Sequence, residues 1–412
     1  MGIHGSTEGS SPSSPRGIHY KFKPFKFELC NPTQGLTKPT ARSGHRVVCT
    51  ESDLYTYGGY NPSVNENDPD IMDDPDWFQS RPLFKEVWRY NMAARWWAKV
   101  PVSNIPTVLA SNAVVLSGSV LLVYGGTGVP FGGHCSNALY VCDLVPWTPS
   151  FRLVEVSGSS PDPQYGQAVL LLGKYLYVIG GTTGYEYSSD VHRLDLETSV
   201  WECVYLCNGG CDEPMGRYRH ELGFDGKRIF VLGGGTAELV FGFEDLSAFD
   251  VETKQWLKLW TIRDATAPDP GYPEARRFHS CVQMPGTNNV VIIGGFTGVD
   301  ILDDCWMLDL IKLRWKKLTD LKLPYPAYFH SSSVTPAGKL YNFGGINQKG
   351  KSTERTSDIH SAWICIPKLK EICWEAVQFY KFTSHLTMTE LRNHGCPEEF
   401  MQRIPQLQYF YD

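Results

Sequence analysis

Six short apolar runs along the chain end in paired glycines. They are LYTYGG (54–59), LLVYGG (121–126), LYVIGG (176–181), IFVLGG (229–234), VVIIGG (290–295) and LYNFGG (340–345). Each run holds about five residues of mostly Val, Ile, Leu, Tyr or Phe without polar alternation, the pattern of a strand buried on both faces. Paired glycines at the strand end permit positive φ and close backbone approach. The first glycines stand 50 to 67 residues apart, so the pattern is a repeat array.

Each unit follows the same order. A segment rich in small residues, Arg and aromatics comes first: ARSGH (41–45), SPDPQYGQ (160–167), RYRH (217–220), ARRFH (275–279) and AYFH (327–330). The Gly-Gly strand follows, then a variable loop, an alternating strand and a tryptophan. Val87 to Trp97, Val191 to Trp201, Leu246 to Trp256 and Cys305 to Trp315 keep one spacing, and the second unit departs from it, with Trp147 early between Pro146 and Pro149. Four short strands per unit, repeated radially, predict an all-β, six-bladed propeller over 41–366, whose closure protects the sheet edges. Trp plates fill the space between neighbouring sheets.

The two ends differ from the array. Residues 1–18 are polar and Ser/Gly-rich, and read as a disordered start; Met1-Gly2 with Ser6 fits a myristoylation pattern. In 19–40, Phe25, Phe27 and Leu29 alternate with Lys26 and Glu28, predicting a half-buried strand that closes the last blade. In 367–412, Pro367 can open a helix, and Leu369, Cys373 and Val377 fall on one helix face. The competing reading makes Trp374 the last blade's own tryptophan, within a strand over 372–377. Leu386, Leu391, Phe400, Met401, Ile404 and Leu407 pattern two further short helices, the second opened by Pro397, Glu398 and Glu399.

Composition narrows the function. A net charge of −6 without a long basic run argues against nucleic acid, and no apolar stretch is long enough to span a bilayer. Cys49, Cys142, Cys281 and Cys365 sit in apolar strands, which suits a reduced cytoplasmic or nuclear setting. Cys203, Cys207 and Cys211 lack the spacing and fourth ligand of a structural zinc site. No G-x-S-x-G, H-E-x-x-H or phosphate-loop motif occurs, so the chain reads as a non-catalytic binding protein without metal or cofactor.

The Gly-Gly pairs with a trailing Trp (Gly180 to Trp201, Gly233 to Trp256, Gly294 to Trp315) resemble kelch repeats. The resemblance implies a six-bladed kelch propeller whose ligand face gathers residues just after Gly-Gly and residues opening each innermost strand. The first set is Tyr60, Asn61, Thr127, Thr182, Thr183, Thr236, Phe296, Thr297 and Asn347. In the second, Ser43, Tyr165, Tyr218, Arg219, Arg277, Phe278 and Tyr328 are the candidate binding residues, with Ser111 and Phe329 beside them. Kelch receptors of this kind bind protein C-terminal degrons ending in a small residue, often glycine. A terminal carboxylate suits Arg219 and Arg277, because a buried carboxylate must be paired and Arg does this bidentately. Arg217, Arg276 and the recurring His45, His220, His279 and His330 read as scaffold.

The tail pattern L-x-x-x-C-x-x-x-V (Leu369, Cys373, Val377) resembles the elongin-binding box of cullin–RING ligase receptors. Lys368 stands where that box often has Ser, Thr or Pro. The implied partners are elongin B/C, cullin-2 with its RING subunit, and client proteins held by their C-termini. A signalling scaffold for a phosphatase or kinase, or an actin-binding protein, is the alternative; neither needs the box.

Overall fold

The structure, a computed structural model, describes residues 19–30, 37–64, 75–381 and 386–404. The possible lipidation site at Gly2, most of the acidic insertion after Asn61, and Leu407 lie outside them. Each Gly-Gly run forms the second strand of an antiparallel sheet. Blade one comprises Arg46–Cys49, Asp53–Tyr57, Val87–Asn91 and Trp96–Lys99; blade two, Ala113–Ser117, Val120–Tyr124, Leu139–Asp143 and Arg152–Leu153. Blade three is Ala168–Leu172, Tyr175–Thr182, Tyr187–Asp195 and Val200–Tyr205, with Ser157–Gly158 added in parallel at its rim. Blade four is Glu221–Phe224, Arg228–Leu232, Asp245–Asp250 and Gln255–Trp260; blade five, Ser280–Gln283, Asn289–Phe296, Ile301–Asp309 and Arg314–Lys322. Blade six is Ser331–Val334, Lys339–Phe343, Ile359–Trp363 and, from the other end of the chain, Glu28–Leu29. The six innermost strands neighbour one another in turn, and the sixth returns to the first. This is a closed, six-bladed all-β propeller with a short helical module after it.

One aromatic per blade, from the outer part of the sheet, packs into the preceding blade. Trp97 meets Phe343 at 5.0 Å, Trp201 meets Tyr124 at 5.5 Å and Trp315 meets Phe243 at 5.4 Å between ring centroids, while Trp256 packs among Tyr177 and Ile179. In blade two the expected plate, Trp147, is exposed, and Phe151 fills the slot against Tyr57 at 5.7 Å. In blade six the slot is filled by Phe27, packed with Val291, Ile293, Leu340 and Ala362. The alternation expected over 25–29 holds only in part: Phe27 is buried, but Leu29 faces outward and Phe25 adopts φ 59° while its amide bonds the Trp363 carbonyl at 2.8 Å.

The paired glycines have a packing reason. A Cβ on Gly344, where φ is +63°, would lie 2.5 Å from Cε1 of His45 in the next blade, and one on Gly345 would lie 2.7 Å from Cβ of His330 in its own. The histidine position thus fits between two glycines. His45 and His330 bond the Phe343 and Ile293 carbonyls of the preceding blade at 3.0 and 3.1 Å, and Gln167 does the same to Tyr124 at 3.0 Å.

After blade six come helix α2 (Leu369–Phe379), α3 (Met388–Asn393) and α4 (Glu398–Met401); α1 (Pro75–Ser80) lies earlier, in the loop of blade one. Trp374 therefore sits in a helix, stacked near Phe400 at 5.2 Å, and does not serve as the last blade's plate. Two further strands, Ile346–Lys349 and Ser352–Arg355, form a hairpin that pairs with Ala327–Tyr328 beside the ring axis. The Gly-Gly grammar did not announce this hairpin.

Candidate functional site

The segment that opens each innermost strand builds a ring around the axis. Its second position bridges the strand leaving Gly-Gly: Ser43 to Tyr60, Ala110 to Thr127, Tyr165 to Thr182, Tyr218 to Gly235, Arg277 to Phe296, and Tyr328 to Ile346. The third position is left-handed in every blade: Gly44, Ser111, Gly166, Arg219, Phe278 and Phe329 have φ of 54° to 69°. Their amides link blade to blade. Ser111 donates to the Gly44 carbonyl at 3.0 Å, Gly166 to Ser111 at 3.1 Å, Arg219 to Gly166 at 2.7 Å, Phe329 to Phe278 at 3.0 Å and Gly44 to Phe329 at 3.2 Å. Glycine is the low-cost residue at such φ, and a side chain there costs roughly 1–2 kcal/mol. Four blades carry one nonetheless.

The residues expected to share one set therefore occupy two layers. Tyr165, Tyr218, Arg277, Tyr328 and Ser43 belong to the bridging position; Arg219 and Phe278 belong to the left-handed ring. Together they form a continuous aromatic arc. Tyr165 meets Tyr218 at 6.2 Å, Tyr218 meets Phe278 at 5.7 Å, and Phe278 stacks on Phe329 at 4.0 Å and meets Tyr328 at 6.3 Å.

Arg219 leaves blade four and bonds the Ser111 hydroxyl of blade two; its guanidinium also lies 4.9 Å from the Phe329 ring centroid. Burial pulls it down to about 9, with the nearby Arg46 charge adding to the shift. Arg277 donates to the Thr236 carbonyl and to that of Ala237 at 3.3 Å, and its guanidinium lies 4.9 Å from the Phe278 centroid. A third guanidinium, Arg355 from the blade-six hairpin, donates from Nε to the Ser43 hydroxyl at 3.0 Å and lies over Tyr60 at 5.2 Å. Burial lowers Arg355 as well, against the opposing influence of Tyr60 and Tyr328. Among the described residues, no carboxylate pairs with any of these three arginines. By contrast Arg42 is paired with Glu86 and Arg276 with Asp304, and Arg42, Arg217 and Arg276 each bond a Gly-Gly carbonyl, that of Gly58, Gly233 or Gly294.

The threonines after Gly-Gly do not line the funnel with free hydroxyls, as the sequence suggested. Thr182 Oγ1 donates to the Glu186 carbonyl at 2.6 Å, and Thr236 and Thr297 accept backbone amides within their own loops. They are turn formers, whose hydroxyls close the local backbone. The loops they shape end in exposed apolar residues: Phe131, Tyr185, Leu239 and Val299. The ring thus sets guanidiniums among aromatic side chains, beside loops that end in exposed apolar residues.

The second candidate surface is the tail. Leu369 is 73% exposed, Cys373 is exposed and Val377 is half-buried, so an apolar stripe of α2 is left uncovered. The opposite side of α2 is fixed. Glu371 accepts two bonds from Arg403, at 2.7 and 3.0 Å, and Arg403 also reaches Glu51 of blade one at 2.7 Å. Glu375 accepts from Lys339 and Trp363 of blade six at 2.8 Å each and from Tyr20 at 2.9 Å. Burial works to raise the Glu375 carboxyl, but these donors hold it below the usual range. Leu391, Phe400 and Met401 are buried, and Thr387 with Glu390 forms a capping box on α3.

The model for the KLHDC2/KLHL20/DRC7 Kelch-repeats domain matches residues 76–272, and that for the Kelch motif matches 275–322. The chain is 41% identical over 373 residues to Kelch domain-containing protein 10 of Xenopus tropicalis, covering 90% of this chain and 87% of that protein. It belongs to the kelch domain-containing protein 10 family. The human member is 40% identical over 376 residues, covering 90% of this chain and 81% of that protein. Human Kelch domain-containing protein 3 is 26% identical over 385 residues, covering 85% and 91%.

Within this kelch frame the funnel residue that sequence reasoning missed is Arg355. It lies on the blade-six turn after Gly-Gly, at the place where every blade pairs back on itself (Leu83, Cys135, Tyr187, Val240 and Ile301 in the others), and no other blade has an arginine there. The polar run NQKGKSTER (347–355), with a glycine at its turn, was the available signal. All twelve cysteines are free. Among the described residues no group of His, Cys, Asp and Glu could hold a metal ion, and no helix is long and apolar enough to cross a membrane.

Proposed function

We propose that this chain is the substrate-recognition subunit of a cullin-2, elongin B/C ubiquitin ligase, whose propeller holds protein C-termini ending in a small residue such as glycine. The observation that carries the reading is the exposed Leu369–Cys373 stripe on a helix whose other side is tied to blades one and six. An apolar helix face of this kind fits a groove on a partner. The uncompensated guanidiniums in the funnel support the client half of the reading, since a carboxylate entering there relieves an unpaired buried charge. Ubiquitin transfer falls to the partners, and this chain contributes proximity. The setting is cytoplasmic or nuclear.

The test is affinity purification of the tagged chain with and without a proteasome inhibitor. Elongin B/C and cullin-2 are expected in both samples, with clients gained under inhibition. Clients extended or amidated at the C-terminus should be lost. Recovery of clients without any ligase subunit would reject the reading in favour of a scaffold.

A further inference from the structure

Three funnel arginines lack a carboxylate, but they are not equivalent. Arg277 is engaged with the carbonyls of Thr236 and Ala237, and so ties down the loop of blade four. Arg219 and Arg355 approach one stretch of blade one from different sides. Arg355 bonds the Ser43 hydroxyl at 3.0 Å. The Nη2 of Arg219 lies 3.4 Å from where a Cβ on Gly44, the next residue, would be. Ser111, which Arg219 bonds, is the left-handed residue of blade two, and its amide is linked to the Gly44 carbonyl.

We infer that the seat for the client's terminal carboxylate is formed by Arg219 and Arg355 with the hydroxyls of Ser43 and Ser111, at the blade-one wall of the funnel, and that Arg277 is a loop tie. The inference deepens the reading of the propeller as a C-terminus receptor and rests on it. The partners now held by the two guanidiniums are hydroxyls, which can turn and donate to an incoming carboxylate while the guanidiniums donate from the sides. Gly44 leaves the wall open: the absence of a side chain there gives the carboxylate room beside Arg219. Arg219 is deeply buried and bonds no carboxylate, and the nearby Glu221 is already paired with Arg46, so an incoming anion lowers the cost of its burial. The apolar loop tips Phe131 and Leu239 then stand where residues upstream of the terminus would pass.

The experiment begins with a library of fluorescent peptides carrying random C-terminal hexamers with free carboxylates, selected on the wild-type full chain. The selected peptides are titrated, free and amidated, against wild type, Arg355→Ala and Arg277→Ala. Arg355→Ala removes a half-buried side chain from the hairpin beside the ring axis, and an unchanged melting temperature documents its fold. The expected result is a loss of about tenfold or more for Arg355→Ala with the free peptide, a smaller loss for Arg277→Ala, and no further effect of Arg355→Ala on the amidated peptide. A loss with Arg277→Ala equal to or greater than that with Arg355→Ala overturns this seat and leaves the C-terminus reading intact. If no selected peptide weakens on amidation, the C-terminus reading and the seat fall together.

Discussion

Arg46 and Glu221 form an ion pair across the central channel, joining the innermost strands of blades one and four at 2.9 Å. Arg46 also donates to the Asn112 carbonyl at 3.2 Å, so it ties blade two to the pair as well. Its two charges act on Arg219 in opposite senses, Arg46 lowering its pKa and Glu221 raising it.

The pair yields a signed prediction. Glu221→Gln leaves Arg46 poorly paired and is expected to destabilise the fold by about 1–3 kcal/mol. It also removes the acid that offsets Arg219, so a C-terminal peptide should bind more tightly. Arg46→Gln frees Glu221 to compete for Arg219 and should weaken the same peptide. Urea unfolding and peptide titration read the two effects. Affinity shifts of the same sign in both variants would contradict this electrostatic coupling.

Arg219 carries a second prediction, on stability against binding. It holds a left-handed φ of 55° where two other blades use glycine, and its buried charge bonds no carboxylate directly, Glu221 being paired with Arg46. Arg219→Gly relieves the backbone strain and the desolvated charge, while losing the ring contact with Phe329. The variant should melt no lower than wild type, and C-terminal peptides should lose at least tenfold in affinity, since hydrogen bonds to a charged group contribute roughly 1.5–3 kcal/mol. A variant that melts well below wild type would show that Arg219 is scaffold.

The six apolar runs and their glycines made the propeller legible because period and burial repeat with every blade. Substitutions of role were not legible. Phe151 replaces a tryptophan because Trp147 comes too early, between prolines, to reach the slot. The alternation at 25–29 did announce the strand that closes blade six, but not that its Phe27 would take the slot a tryptophan fills elsewhere. At the funnel, sequence picked out Arg219 and Arg277 but placed them in one layer, because the residues RYRH and ARRFH look alike until the fourth-position histidines are superposed. The threonines misled for a physical reason: a hydroxyl after a turn is as ready to bond its own loop as a ligand. Arg355 was hidden because its position is set by pairing across a loop whose length differs from blade to blade, so spacing from Gly-Gly does not locate it.

The histidines make the fold acid-sensitive. His330 is pulled down to about 4 and His220 to about 3 by burial, and His45 and His279 are lowered for the same reason. Between pH 6.5 and about 4 the unfolded chain binds protons at these sites and the native chain does not. Stability is therefore complete above pH 6.5 and falls as pH drops, by up to about 1.4 kcal/mol per unit for each histidine. His330→Gln copies the Gln167 solution of blade three, and should make the pH dependence of the urea midpoint shallower. An unchanged slope would remove His330 from this account.

Ring closure can be tested at Phe27. It is the plate that the described N-terminal residues supply, and it packs between blades five and six. Phe27→Ala should cost about 3–5 kcal/mol. Hydrogen exchange should show the loss first in the strand Ile359–Trp363, which pairs with Glu28–Leu29. Protection lost evenly around all six blades would argue that closure is not localised at this seam.

The tail separates the two halves of the proposed function. Leu369 is 73% exposed, so Leu369→Asp should change the melting temperature by less than about 2 °C, since exposed substitutions usually shift stability within about 0.5 kcal/mol. It should nevertheless abolish copurification of elongin B/C, because a charge would enter an apolar groove on the partner. Arg403→Ala acts from the other side of α2. It leaves Glu371 buried without its donor and detaches the helix from Glu51, so elongin binding should persist while α2 loses protection in hydrogen exchange. Peptide binding in the funnel should survive both variants, as the seat lies on the ring and not on the tail. Elongin retained by Leu369→Asp would reject the stripe as the docking face, whatever the funnel binds.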